Sequence, residues 1–132
     1  MARKLPQLTP ENSAFWQGGA KGELLIERCD DCQRWQHPPG PICRACGSRS
    51  VQSRPVSGRG RVYSFTINHQ PWTPALAVPN AIAIVELEEQ PGLRFVSNVV
   101  DCPVESVAIG MAVRVQFLQQ DDVWLPLFVP AQ

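Results

Sequence analysis

Two cysteine pairs at Cys29/Cys32 and Cys43/Cys46, a Thr-Pro-led segment before them, and five short β-branched runs beyond residue 60 together predict a mainly β chain. The expected order is a short N-terminal helix, a rubredoxin-like four-Cys zinc ribbon and a five-stranded OB-fold barrel. The corresponding boundaries are 1–22 for the helical segment, 23–55 for the ribbon and 56–132 for the OB-fold domain. A chain of 132 residues suits one compact domain, or a small domain with a stapled appendage. Twelve Lys+Arg balance twelve Asp+Glu, and 44% hydrophobic residues with 18% charged exclude a disordered chain and disfavour a wholly basic nucleic-acid binder. No apolar run reaches the roughly 18 residues of a membrane span, and Arg3-Lys4 is not followed by a signal-peptide apolar stretch. A cytoplasmic chain without membrane contact is expected.

Thr9-Pro-Glu-Asn-Ser-Ala-Phe-Trp16 reads as the helix, with Thr9 as N-cap, Pro10 at the first helical position and Gly18-Gly19 ending it. Phe15 and Trp16 are its apolar anchors, packing either on the body of the protein or against a partner.

In the ribbon, each Cys-x-x-Cys can form a knuckle presenting two thiolates, and two facing knuckles close a tetrahedral site with no open position. Cys29, Cys32, Cys43 and Cys46 are the expected ligands of a structural zinc; iron in a rubredoxin-like site is a rival that cysteine-only ligation does not exclude. Disulfides are disfavoured by the paired spacing and the absence of secretory features. Gly47 suits the left-handed turn after its knuckle, whereas Gln33 fits the equivalent place less well. His37-Pro-Pro-Gly40-Pro turns the short hairpin between the pairs, and four thiolates leave His37 outside the shell. Cys102, beside Pro103, reads as a small apolar residue and not a nucleophile.

Beyond a linker-like Arg54-Pro-Val-Ser-Gly-Arg-Gly60, strands are expected over 61–68, with Tyr63, Phe65 and Ile67 on one face, and over 81–87 and 93–100. Strands 112–118, with Val113, Val115 and Phe117 inward, and 123–129 follow, separated by a turn over 119–122. Five strands in this length fit a closed barrel without exposed edges. The connection from His69 to Pro79, with Trp72 and three prolines, is too long for a tight hairpin and reads either as a contact surface or as a flap over the barrel mouth.

Charge is unevenly spread. Residues 1–61 carry a net +5 and residues 62–132 a net −5, and no acid occurs between Asp31 and Glu86 while six arginines do. Arg54, Arg59 and Arg61 are therefore the expected anion contacts, because an arginine fork pairs bidentately with phosphate.

Phe15-Trp16, Leu24, the two knuckles with Pro38-Pro39 between them, Gly60-Arg-Val-Tyr-Ser-Phe-Thr66 and Gly110-Met-Ala-Val-Arg-Val115 appear in an order that resembles the zinc-ribbon and OB-fold acyl-CoA-associated proteins long catalogued as a domain of unknown function. The resemblance spans nearly the whole chain. It departs at Gln33, Gly40 and Arg44, where relatives usually carry Gly, Arg and Pro. The resemblance implies a non-catalytic accessory subunit in a hetero-oligomer with a thiolase-like, lipid-transfer-protein-like aldolase of steroid side-chain breakdown, or with an enoyl-CoA hydratase or a thiolase. Acyl-CoA would be a ligand shared with that partner, the junction bearing Arg54, Arg59 and Arg61 would face CoA phosphates, and Phe15, Trp16, His69 and Trp72 would contact partner or acyl path. The chain's two histidines, His37 and His69, form no recognisable nucleophile-base pattern. The competing class is a single-stranded nucleic-acid module, opposed by the acidic barrel half and by aromatics that alternate as core residues do. A self-sufficient hydrolase or redox protein ranks last.

Overall fold

Local capping chemistry sets the first element. In the computed structural model, which describes residues 3–131, Thr9 Oγ1 accepts from the Asn12 N–H at 3.2 Å and Asn12 Oδ1 accepts from the Thr9 N–H at 2.7 Å. This reciprocal pair closes a turn over residues 10–12, and α1 (Ser13–Gln17) follows it. The helical path does not stop at Gly18-Gly19 as expected. It tightens into a 3₁₀ turn, Gly18–Lys21, and leaves at Gly22, whose φ of 71° is left-handed. Gly18 and Gly19 serve close packing instead: a Cβ on Gly19 would run into Trp124 and the Phe117 ring, and one on Gly18 into the Glu23 carbonyl.

The ribbon is a three-stranded antiparallel sheet in the order β2-β1-β3, formed by β1 (Leu24–Cys29), β2 (Trp35–Gln36) and β3 (Val51–Val56). Residues 54–56, read from sequence as linker, are strand, paired as Ile26↔Arg54, Leu25↔Pro55 and Leu24↔Val56. Pro55 is tolerated because β3 is an edge strand. Alternate residues Leu24 and Ile26 of β1 are buried and join the same apolar core as the barrel residues Val62, Val85, Val113 and Phe128.

The barrel comprises β4 (Arg59–Asn68), β5 (Asn80–Leu87), β6 (Arg94–Val99), β7 (Ala112–Gln120) and β8 (Val123–Pro130), closed in the order β4-β5-β6-β8-β7. A mainly β chain with one short helix and a closed five-stranded OB-fold is thus the observed class. The facing of β4 differs from the alternation read in sequence. A bulge between Val62 and Ser64 adds one residue to the strand, so Val62 and Phe65 turn toward the core, whereas Tyr63 is exposed beneath the Arg94 guanidinium, 3.6 Å from the ring centre. The β7 strand runs two residues further than expected, leaving only Asp121-Asp122 as the turn. β8 is buried on both faces over most of its length because α1 and the 3₁₀ turn pack against it. Closure is weakest between β6 and β8, which share a single parallel pair, Val99↔Phe128. Among the described residues, no helix is long and apolar enough to cross a membrane.

Candidate metal centre and interdomain groove

The two knuckles are near copies of each other. Gln33 N–H donates to the Cys29 carbonyl and Gly47 N–H to the Cys43 carbonyl, both at 2.9 Å. Within the turns, Cys32 N–H points at Cys29 Sγ (3.5 Å) and Ala45 N–H at Cys43 Sγ (3.4 Å). Gln33 and Gly47 both adopt positive φ, 66° and 79°, so Gln33 holds a left-handed position that costs a side-chain-bearing residue about 1 kcal/mol. Across the knuckles, Cys29 Sγ lies 3.7 Å from Cys46 Sγ and Cys32 Sγ 3.6 Å from Cys43 Sγ, all four within 4.8 Å. A tetrahedral zinc with bonds of about 2.3 Å requires sulfur separations of about 3.8 Å, so the residues fit the ion closely.

The donor set suits a cation as well. The N–H groups of Cys46 and Ala45 hold the Cys43 thiol down to about 6. Cys46, although its sulfur faces the Ser48 N–H, is pushed up to about 12 by burial and by the neighbouring thiols. Four thiolates cannot crowd together uncompensated; a divalent metal removes that conflict and closes the shell, leaving no open position for a reacting water. His37 stands outside this centre, its ring 4.7 Å from Phe15 and 5.4 Å from Phe95. Burial, reinforced by Arg44 and opposed by Glu27, lowers its imidazole to about 4.

Of the expected anion contacts, Arg59 and Arg61 share one groove and Arg54 stands apart on the ribbon. Arg54 Nη2 pairs with Asp30 Oδ1 at 2.8 Å on the ribbon surface. Arg59 and Arg61 line a shallow groove of about 350 Å³ shared with Glu86 and Glu88, and Arg61 donates to the Gly110 carbonyl at 2.8 Å. The long acid-free stretch of sequence is therefore not acid-free in space, because β4–β5 pairing sets Glu86 opposite Arg61. In the Pro-rich connection, Trp72 is 80% exposed and His69 is also exposed, and neither lines the groove to which Phe15 and Trp16 belong.

A larger groove, about 610 Å³, lies where β6 and β8 part. Phe15, Trp16 and His37 form one wall, and Ala75 and Leu76 of the Pro-rich connection overhang it. Its basic members, Arg3 and Lys4, escaped the sequence reading because they lie about 90 residues from the strand that they approach; Arg3 Nη1 donates to Asn98 Oδ1 at 2.8 Å. Cys102 is half-buried against the core, as its sequence context indicated.

A four-thiol ribbon sharing one core with a closed OB-fold barrel defines the class as a zinc-ribbon/OB-fold protein. Residues 16–52 match the family model described as the ChsH2 rubredoxin-like zinc ribbon domain and residues 53–118 that of the ChsH2 C-terminal OB-fold domain. The chain belongs to this ChsH2 (DUF35) family. It is 37% identical over 130 residues to a probable enoyl-CoA hydratase alpha subunit of Thermomonospora curvata, covering 98% of this chain and 40% of that protein. It is likewise 37% identical over 117 residues to the 3-oxo-4,17-pregnadiene-20-carboxyl-CoA hydratase alpha subunit of Mycobacterium tuberculosis, covering 89% of this chain and 37% of that one. The chain thus spans about two fifths of the length of these two relatives. Among solved structures, a chain of the Ltp2-ChsH2(DUF35) aldolase superposes with a TM-score of 0.84 at 40% identity, covering 97% of this chain and all of that one.

Proposed function

We propose that this chain is a non-catalytic accessory subunit that docks on a thiolase-like, lipid-transfer-protein-like enzyme and supports retro-aldol cleavage of a steroid side-chain β-hydroxyacyl-CoA. The observation that carries the reading is the end-to-end likeness to a chain of the Ltp2-ChsH2(DUF35) aldolase. The relative named for a pregnadiene carboxyl-CoA supports the steroid class, and it supports an enoyl-CoA hydratase as the second choice of partner. The chain's chemistry is consistent with an accessory role, since the cluster of metal-binding side chains found among the described residues is a closed four-thiol shell suited to structural zinc. In this proposal Phe15, Trp16, His69 and Trp72 contact the partner or the acyl path, and Arg54, Arg59 and Arg61 face the CoA phosphates. Of the three arginines, Arg59 and Arg61 share their groove with Glu86 and Glu88, Arg61 must release the Gly110 carbonyl, and Arg54 must leave Asp30. The setting is the cytoplasm, where reducing conditions keep four thiols available for metal.

The test is native co-purification of the tagged chain, with mass spectrometry of what elutes. A thiolase-like or hydratase protein in fixed ratio is the expected outcome; nuclease-sensitive nucleic acid with no such enzyme would overturn the reading. In the recovered complex, replacing Arg54, Arg59 and Arg61 by Ala should weaken acyl-CoA affinity, and unchanged affinity would remove these residues from the proposal.

A further inference from the structure

We propose that the groove between β6 and β8 is a binding site for an amphipathic anion, whose apolar body lies on Phe15, Trp16, Phe95 and Leu127 and whose charged group meets Arg3 and Lys4. The inference deepens the proposed function and rests on that reading only for the source of the ligand, an acyl group on the partner's substrate. The groove itself is built wholly within this chain.

Three observations converge on it. The volume, about 610 Å³, falls within the range of small-molecule sites, about 300–1,000 Å³. The floor, mainly apolar through Phe95, Val96, Leu125, Pro126 and Leu127, is left open because β6 and β8 separate after their single backbone pair, where Ser97 Oγ–H bridges to the Pro126 carbonyl at 2.7 Å. The charge is one-sided: among the described residues, two cations and no acid line it. Arg3 is partly withdrawn from water, yet its guanidinium is met by a neutral amide, Asn98. Among the described residues, the ion pairs are Arg54–Asp30 and Arg94–Glu86, both elsewhere. A guanidinium has five donors, and those left over in a half-dry setting favour an anion. The Arg59/Arg61 groove lacks this asymmetry, since Glu86 and Glu88 share it.

The anion can be a carboxylate at the end of the apolar body or the phosphates of a thioester carrier, and the probes separate the two. The zinc-loaded chain is titrated with cis-parinaric acid and with its methyl ester, followed by probe fluorescence, and palmitate and palmitoyl-CoA are then used as competitors. Saturable single-site binding of the acid is expected, with the ester weaker by about tenfold or more, as loss of a charge-assisted contact implies. Displacement by palmitate alone identifies a carboxylate head, and preferential displacement by palmitoyl-CoA identifies phosphate. Arg3→Gln with Lys4→Gln should reduce affinity for the acid by about tenfold and leave the ester nearly unchanged. Ala75→Trp, which fills the groove from an exposed loop, should abolish both. Zinc content and far-UV circular dichroism verify that each variant is folded. Absence of saturable binding, equal affinity for acid and ester, or variants that bind like the parent would overturn the proposal. Retained partner capture with no probe binding rejects the groove alone, whereas probe binding without partner capture rejects the accessory-subunit reading alone.

Discussion

Gln33 sits at the one knuckle position where backbone geometry and residue type disagree. Its φ of 66° is close to that of Gly47 in the other knuckle, and glycine would keep both of its backbone hydrogen bonds, the N–H to the Cys29 carbonyl and the carbonyl that accepts from Arg28 Nε. Gln33→Gly should therefore raise stability by about 0.5–1 kcal/mol, offset in part by the greater freedom of glycine in the unfolded chain; urea unfolding of the zinc-loaded protein measures this. His37 sets a pH dependence. Its imidazole titrates at about 4 in the folded state against 6.5 as the ordinary value, so below 6.5 the unfolded chain takes up a proton that the folded chain refuses. Stability contributed by this group is complete above 6.5 and declines as pH falls toward 4, by about 3 kcal/mol in all. Acid also releases zinc by protonating thiolates, so the effect is read as the difference between wild type and His37→Phe. That variant should show a flatter dependence of Tm between pH 4 and 6.5; parallel curves would contradict the assignment.

At the scale of elements, the ribbon is joined to the barrel by specific polar clasps as well as by shared core. The Gln90 side chain accepts from the Trp35 N–H and donates to the Trp35 carbonyl, both at 2.9 Å, and so pairs with the open edge of β2 as a neighbouring strand would. Glu89 Oε2 accepts from the Ser57 N–H at the ribbon–barrel junction, 2.7 Å away. Gln90→Leu should cost about 1–2 kcal/mol through the two lost bonds, with faster amide exchange at Trp35 as the local signature. The departures from the family pattern at Gly40 and Arg44 also explain each other. Arg44 Nη2 donates to the Pro38 carbonyl at 2.6 Å and crosses so close to Gly40 that a Cβ there would lie 3.1 Å from it. The helical segment depends on equally close contact: Gly19→Ala would force a methyl against Trp124 and Phe117 and should destabilise by about 1–3 kcal/mol in thermal unfolding.

Over the whole molecule, one apolar core runs from Phe15 through Leu24 and Ile26 into the barrel. The ribbon is too small to fold by burial alone, and zinc binding contributes on the order of 10 kcal/mol in such sites. Because its strand β1 also forms part of the barrel's core, removal of zinc by a strong chelator should lower the Tm of the entire chain in one transition. Two separate transitions, with the barrel's near-UV signal unaffected, would show that the units are independent. Cys43→Ser should reproduce the chelator's effect, since three thiolates leave the shell incomplete.

The four ligands, the element order and the barrel were legible in sequence because each rests on local chemistry: fixed cysteine spacing, strand alternation and turn residues. Where one residue breaks the periodicity, as the bulge at Tyr63 does, alternation misassigns a face, since a strand reverses its facing with every residue inserted. The candidate site was less legible. Phe15 and Trp16 were visible as apolar anchors, but their groove exists only where β6 and β8 part, and Arg3 reaches it from 95 positions away along the chain. The anion window of arginines shows the same limit in reverse, because strand pairing placed Glu86 beside Arg61. Sequence by itself determined the metal ligands and the succession of elements, which depend on neighbours along the chain; tertiary structure alone decided which charges stay uncompensated and where apolar surface remains open, because both depend on residues that only folding brings together.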